Sequence, residues 1–247
     1  MQKVSLFIPC AIDAILVNVG EATVKLLSNL GFELDYHQEQ TCCGQPAFTA
    51  GHTDIAIKAA KRFIEIFEDD EFIVSPSGSC VHTIRNSYCR VLKDEPSWYD
   101  RAVKMAQKVY ELSEFLVDIA GIEDVNAEYH GTVAYHKSCH ILRALGIDEQ
   151  PEKLLAKVKN ATLIPLNLAE ECCGFGGQFS YKYPLISEVM AADKVNNFVA
   201  SGADVLVVSD PGCLLNITGY VHRHRPDLKV RHLASFLADN MQGGVAV

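Results

Sequence analysis

Nine cysteines stand at positions 10, 42, 43, 80, 89, 139, 172, 173 and 213 of this 247-residue chain. Two pairs are adjacent, TCCGQP at 41–46 and ECCGFGG at 171–177, and each runs straight into glycine. With Cys89 set aside, the others form two series. Cys10 to Cys42 is 32 positions and Cys43 to Cys80 is 37; Cys139 to Cys172 is 33 and Cys173 to Cys213 is 40. Each half therefore reads Cys, CysCysGly, Cys, a repeat that isolated core cysteines do not produce. Four thiolates brought together from three loops suit a tetrahedral zinc ion or an iron–sulfur cluster. Two adjacent thiolates grip one small tetrahedral ion only with strain, whereas a cluster offers several irons to neighbouring sulfurs. The pairing favours a cluster.

The elements that position these cysteines follow from the flanking pattern. VSLFIPC (4–10), FIVSPSGSC (72–80), TVAYHKSC (132–139) and VLVVSDPGC (205–213) are apolar, β-branched runs ending in cysteine, and read as strands. Shorter strands, FELDYH and TLIPLNL, precede the two CysCysGly loops. Helical spacing marks AILVNVGEATVKLLSNLG, DIAIKAAKRFIEIFE and PLISEVMAADKVNNFVASG, the first and last closing on glycine. After Cys213 come a helix, LLNITGYVHRH, a strand, LKVRHL, and a short helix, ASFLADNM. Trp98–Gly121 reads as a helix connecting the halves. Strand alternating with helix predicts an α/β protein of two similar Rossmann-like halves with parallel sheets, a pseudo-twofold repeat of the CysCysGly motif. The polar stretch EDVNAEYHG places the division at 1–125 and 126–247, with both sites in strand-end loops near the interface. Gly44, Gly174, Gly176 and Gly177 would turn backbone N–H groups toward sulfur, or serve as plain turns. Helices starting just after Cys10, Cys80, Cys139 and Cys213 would add their positive ends.

Composition narrows the function classes. Lys plus Arg is 22 against 31 for Asp plus Glu, a net charge of −9, which argues against a nucleic-acid partner. No apolar run reaches the roughly eighteen residues that span a bilayer, and the N-terminus lacks a cleavable signal. The expectation is a cytoplasmic protein with no membrane span. There, an odd number of cysteines points to metal or redox chemistry rather than structural disulfides. Neither a dinucleotide GxGxxG after the first strand nor a P-loop is found, so the chain is expected to bind neither nucleotide nor flavin itself, and no catalytic residue is assigned.

Other residues take quieter readings. Cys89 falls on the helix that carries Cys80 and reads as a small buried hydrophobe. His82, His136 and His140 read as hydrogen-bonded loop histidines, the alternatives being donors to sulfur, proton relays or ligands. The stretch from His222 to Arg225 reads as a solvated helix end rather than a docking patch.

QTCCGQP (40–46), PSGSC (76–80), YHKSCH (135–140), EECCGFGG (170–177) and SDPGCLLNI (209–217) resemble the cysteine-rich CCG domain. That domain occurs in the B subunit of heterodisulfide reductase and in the iron–sulfur subunit of glycolate oxidase. The likeness spans nearly the whole chain and is nearest to the lactate-utilisation protein A family. It implies an iron–sulfur electron-transfer subunit of a cytosolic complex oxidising L-lactate to pyruvate, beside partners resembling lactate-utilisation proteins B and C. It also implies one centre on Cys10, Cys42, Cys43 and Cys80 and another on Cys139, Cys172, Cys173 and Cys213, as one or two [4Fe–4S] clusters. A structural subunit holding zinc at one site is an alternative, as is a thiol–disulfide oxidoreductase of heterodisulfide type. The latter closes each motif with Cys-x-x-Cys. Here Ser77 and Asp210 precede Cys80 and Cys213 by three, and in the other alignment Thr83 and Asn216 follow them by three. Either way the fifth thiol is absent.

Overall fold

The computed structural model describes residues 2–243; residues 1 and 244–247 of the two expected halves lie outside the described range. Two four-stranded sheets, all parallel, repeat one topology. In the first, β1 (Lys3–Leu6), β2 (Glu33–Asp35), β3 (Ile73–Ser75) and β4 (Val109–Glu111) lie in the order β2-β1-β3-β4. In the second, β5 (Glu128–His136), β6 (Lys159–Leu163), β7 (Val205–Val208) and β8 (Lys229–His232) lie in the order β6-β5-β7-β8. The α/β class with two repeated, parallel halves is as the sequence led us to expect. Strands β3 and β7 are buried along their whole length, since helices cover both faces of such sheets.

The topology fixes where a ligand goes. From β1 the chain crosses to β2 on one side, then returns to β3 on the other, so the order reverses between β1 and β3, and likewise between β5 and β7. In open α/β sheets the crevice beyond the strand ends at such a reversal is the ligand site. Cys10 and Cys80 follow β1 and β3; Cys139 and Cys213 follow β5 and β7.

The helices hold the sheets by one face. Thr53–Phe67 turns Ala56, Ala60, Phe63, Ile64 and Phe67 inward at helical spacing. Phe63 and Phe67 then pack edge-on against Phe7 just past β1. Pro184–Ser201 opens with proline and closes on Gly202 at φ 72°, a left-handed position glycine occupies freely. One apolar cluster runs through both sheets, joining Val4, Leu26, Leu27 and Phe115 to Val133, Leu206 and Leu237. The last helix, Leu233–Asn240, lies on Val17–Asn29 of the first half.

The expected connecting helix Trp98–Gly121 is not continuous. A helix at Pro96–Ala106 gives way to β4, then a capped turn at Leu112–Glu114 and a π-helical turn at Phe115–Ile119. Val109 and Glu111 are buried, with Ile73 paired to Val109 and Ser75 to Glu111. The free edge of β3 recruits three residues whose apolar spacing alone reads as helix; pairing overrides local preference. Likewise Ala14 ends a short helix, Cys10–Ala14, and the long one begins at Val17.

Candidate metal centre

The eight paired-series cysteines line a single cavity of about 220 Å³ between the strand ends of the two sheets. Each quartet is assembled in the same way. In the first half, Gln40 ties the loop after β2 to the end of β1: its Nε2 donates to Leu6 O (3.2 Å) and His37 O (3.0 Å), and its Oε1 accepts from Ile8 N (2.8 Å). In the second half Ala169 O is the tie, accepting from Lys137 N (3.1 Å), His136 Nδ1 (3.1 Å) and Lys194 Nζ (3.2 Å). Lys194 also donates to Leu168 O at 2.5 Å. These bonds aim the CysCysGly loops at the crevice.

Within the loops, Gly44 and Gly174 both adopt φ 85°, a conformation costly for a side chain with a Cβ. It turns each glycine N–H back to the sulfur two residues earlier, Gly44 N to Cys42 Sγ and Gly174 N to Cys172 Sγ, both at 3.4 Å. The carbonyl of the second cysteine is pinned from a helix: Tyr88 Oη donates to Cys43 O (3.0 Å) and Asn216 Nδ2 to Cys173 O (2.7 Å). Cys80 and Cys213 lie inside the first turn of their helices, Gly78–His82 and Pro211–His224, rather than ahead of them. The helices start earlier because Ser77 and Asp210 cap them, Ser77 Oγ accepting from Cys80 N (3.4 Å) and Asp210 Oδ1 from Gly212 N (3.0 Å). Asp210 Oδ2 also accepts from Ser79 N at 2.8 Å, joining the halves at the cavity. Cys139 is followed by a π-helical turn, His140–Ala144, not an α-helix.

The sulfurs meet in order. Cys10 neighbours Cys42, and Cys42 neighbours Cys43; Cys43 Sγ lies 3.4 Å from Cys80 Sγ. Cys139 neighbours Cys172, and Cys172 neighbours Cys173; Cys173 Sγ lies 2.9 Å from Cys213 Sγ. Thiol donation from Cys10 and Cys43, helped by Gly44 N–H, holds Cys42 down to about 3. Donation from Cys139 and Cys173, with Gly174 N–H, holds Cys172 down to about 2. Cys10 and Cys139, which donate, are pushed up, as are the buried Cys43 and Cys173. Cys213 is held down to about 6 by the Cys173 hydrogen bond, with His136 beside it. A thiolate is the ligand form of cysteine, and each quartet already favours one.

The remaining candidates sort by place. Cys89 is half-buried on Tyr88–Val91, packed against the first-half core and away from the cavity. His140 lines the cavity, with Nδ1 3.8 Å from Cys139 Sγ and Nε2 3.4 Å from Gln45 Nε2. The His82 ring is 5.5 Å from that of His140. His136 is fully buried behind the second quartet. The basic helix end is matched by Glu188, which pairs with Arg223 and His224, and by Asp227, which pairs with Arg225. Gln40, Tyr88 and Lys194 escaped the sequence reading. Lys194 had a visible signal, a cation in the buried stripe Ala191, Lys194, Val195, Phe198.

A single structural zinc ion closes its ligands around itself, whereas about 220 Å³ is the share of several water molecules, roughly 30 Å³ each in the liquid. Eight sulfurs around such a space, backed by N–H donors, fit polynuclear iron–sulfur ligation. Ser77, Thr83, Asp210 and Asn216 are each engaged with backbone groups, Thr83 Oγ1 donating to Ser79 O at 2.9 Å. None adds a thiol, so each half offers four cysteines at the cavity.

The model of the cysteine-rich CCG domain matches residues 4–85 and 133–218. Lactate utilization protein A of Bacillus cytotoxicus is 48% identical over 96% of this chain and 98% of its own length. Lactate utilization protein A 1 of Bacillus cereus is 47% identical over the same shares. Among solved structures, a hypothetical protein from Helicobacter pylori superposes with a TM-score of 0.67 at 11% identity over 99% of this chain. This chain spans half the length of that structure, and the likeness concerns the fold.

Proposed function

The chain belongs to the cysteine-rich domain family and within it to the lactate utilization protein A family, and we propose on that footing that it is the iron–sulfur electron-transfer subunit of a cytoplasmic complex that oxidises L-lactate to pyruvate. One observation carries this reading: two sulfur quartets, built by the same local devices, face one shared cavity. Cys10, Cys42, Cys43 and Cys80 hold one [4Fe–4S] centre and Cys139, Cys172, Cys173 and Cys213 the other. Bound there, such clusters supply reversible one-electron storage. Lactate gives up two electrons and two protons in becoming pyruvate, and two one-electron centres match that count.

The chain's own residues set the conditions. Gly44 and Gly174 N–H groups stabilise negative sulfur. Asp210 spans the seam, so the two quartets are held in fixed relation. Partners resembling lactate utilization proteins B and C complete the complex. Anaerobic purification with those partners tests the reading by iron and acid-labile sulfide analysis and by electron paramagnetic resonance before and after lactate. The expected result is two cluster signals that grow on adding lactate. A colourless chain with stoichiometric zinc, or clusters inert to lactate in the complete complex, would overturn it.

A further inference from the structure

The two halves repeat closely at sulfur and differ at one position behind it. Three residues before Cys139 stands His136; three residues before Cys10 stands Phe7. Phe7 lies just past β1 in an apolar nest with Phe63 and Phe67, their ring centroids 4.9 and 5.9 Å away. His136 ends β5 and is wholly buried. Its Nδ1 lies 3.1 Å from Ala169 O, and a carbonyl only accepts, so Nδ1 carries a proton and Nε2 is the nitrogen left for a ligand role. That Nε2 is a buried atom with no hydrogen-bond partner. A ring nitrogen of His136 lies, with Cys173 Sγ and Cys213 Sγ, in a set of donor atoms all within 4.8 Å of one another. A buried histidine with one nitrogen fixed by a backbone carbonyl, the other left over, and two cysteine sulfurs beside the ring has the arrangement of a metal ligand. Ala169 O is itself held by Lys194, so the ring's orientation is set from outside the site.

Building on the cluster reading above, we propose that His136 Nε2 is a nitrogen ligand of the second centre, beside Cys173 and Cys213, and takes the place there of one of the four thiolates, while the first centre is ligated by thiolates alone. The repeat thereby carries two chemically different centres. Imidazole in place of a thiolate removes one negative charge from a cluster's surroundings and raises its reduction potential. The second centre is then the stronger electron acceptor of the two.

The test uses the full chain, anaerobically loaded with iron and sulfide, with its histidines labelled with nitrogen-15. Pulsed electron paramagnetic resonance is expected to show directly coordinated histidine nitrogen on one of two cluster signals. In His136→Phe, which copies the first half, that coupling is lost and the potential of the same centre falls, the other centre unchanged. The labelled unsubstituted chain reads the coupling even where the variant folds poorly. A loaded chain without strong histidine-nitrogen coupling, or one whose coupling survives His136→Phe, overturns this assignment and leaves the cluster reading intact. A chain that takes up no iron overturns both.

Discussion

A metal-bound cysteine differs from a free one by the loss of its proton, so serine, with a far less acidic hydroxyl, is a poor replacement at a ligand position. Cys42→Ser and Cys173→Ser should each abolish one centre and lower iron content by roughly half, while Cys89→Ser, away from the cavity, should leave iron unchanged. Metal analysis of the three variants checks both halves of the expectation. Two other buried residues make stability depend on pH in opposite directions. Burial pushes the Glu111 carboxyl from 4.5 up to about 7. The folded chain then holds that proton where the unfolded chain has released it, so stability present below pH 4.5 is lost as pH rises to 7. Burial pushes His232 from 6.5 down to about 4, so its contribution is present above pH 6.5 and lost as pH falls toward 4. Each shift corresponds to about 3 kcal/mol. Glu111→Gln should remove the alkaline loss, and His232→Asn, which keeps a cap acceptor for Ala234 N, should remove the acid loss. Urea midpoints of the metal-free chain between pH 4 and 8 would show each slope vanish separately.

At the scale of elements, the CysCysGly turns tolerate side chains poorly. A Cβ at Gly174 would meet Ser187 O at 2.7 Å in a backbone region that disfavours side chains, whereas Gly31, also at positive φ, has open space around it. Gly31→Ala should cost about 1 kcal/mol, and Gly174→Ala clearly more; paired denaturation curves, and iron retention in the second variant, check this. The same elements show what local sequence carries. Strands that end in cysteine were legible because they are buried on both faces and so written as unbroken apolar runs. Helices such as Thr53–Phe67 were legible from periodicity. Strand β4 was not, because Val109–Glu111 is a strand only by virtue of β3 beside it. The cysteine quartets were legible as spacing, but their supports were not: Gln40 reaches back 34 positions to Leu6 O and Tyr88 reaches back 45 to Cys43 O. Ser77 and Asp210 looked like vacated ligand positions and are helix caps, a role settled by backbone geometry that spacing does not reveal.

For the molecule as a whole, the seam between the halves decides how it unfolds. The larger apolar cluster takes residues from both sheets, and Leu233–Asn240, last in sequence, packs on Val17–Asn29. Asp210 adds a charged acceptor across the seam for Ser79 N, and Gly78 abuts Ile141 so closely that a Cβ would collide with it. A core shared in this way cannot open in one half without exposing apolar surface in the other, so the two repeats should unfold together although each has its own sheet. Trp98 makes the test direct. It is the single tryptophan, it lies in the first half, and the Arg101 guanidinium sits 3.9 Å above its ring, so its emission reports local opening there, while far-ultraviolet circular dichroism reports both halves. The two urea transitions are expected to coincide in the metal-free chain. In Asp210→Ala both should move to lower urea together, by an amount corresponding to about 1–3 kcal/mol for the orphaned N–H groups. Trp98 emission that changes well before the helical signal would mean that the first repeat opens alone, and that the shared core contributes little to holding the eight sulfurs around one cavity.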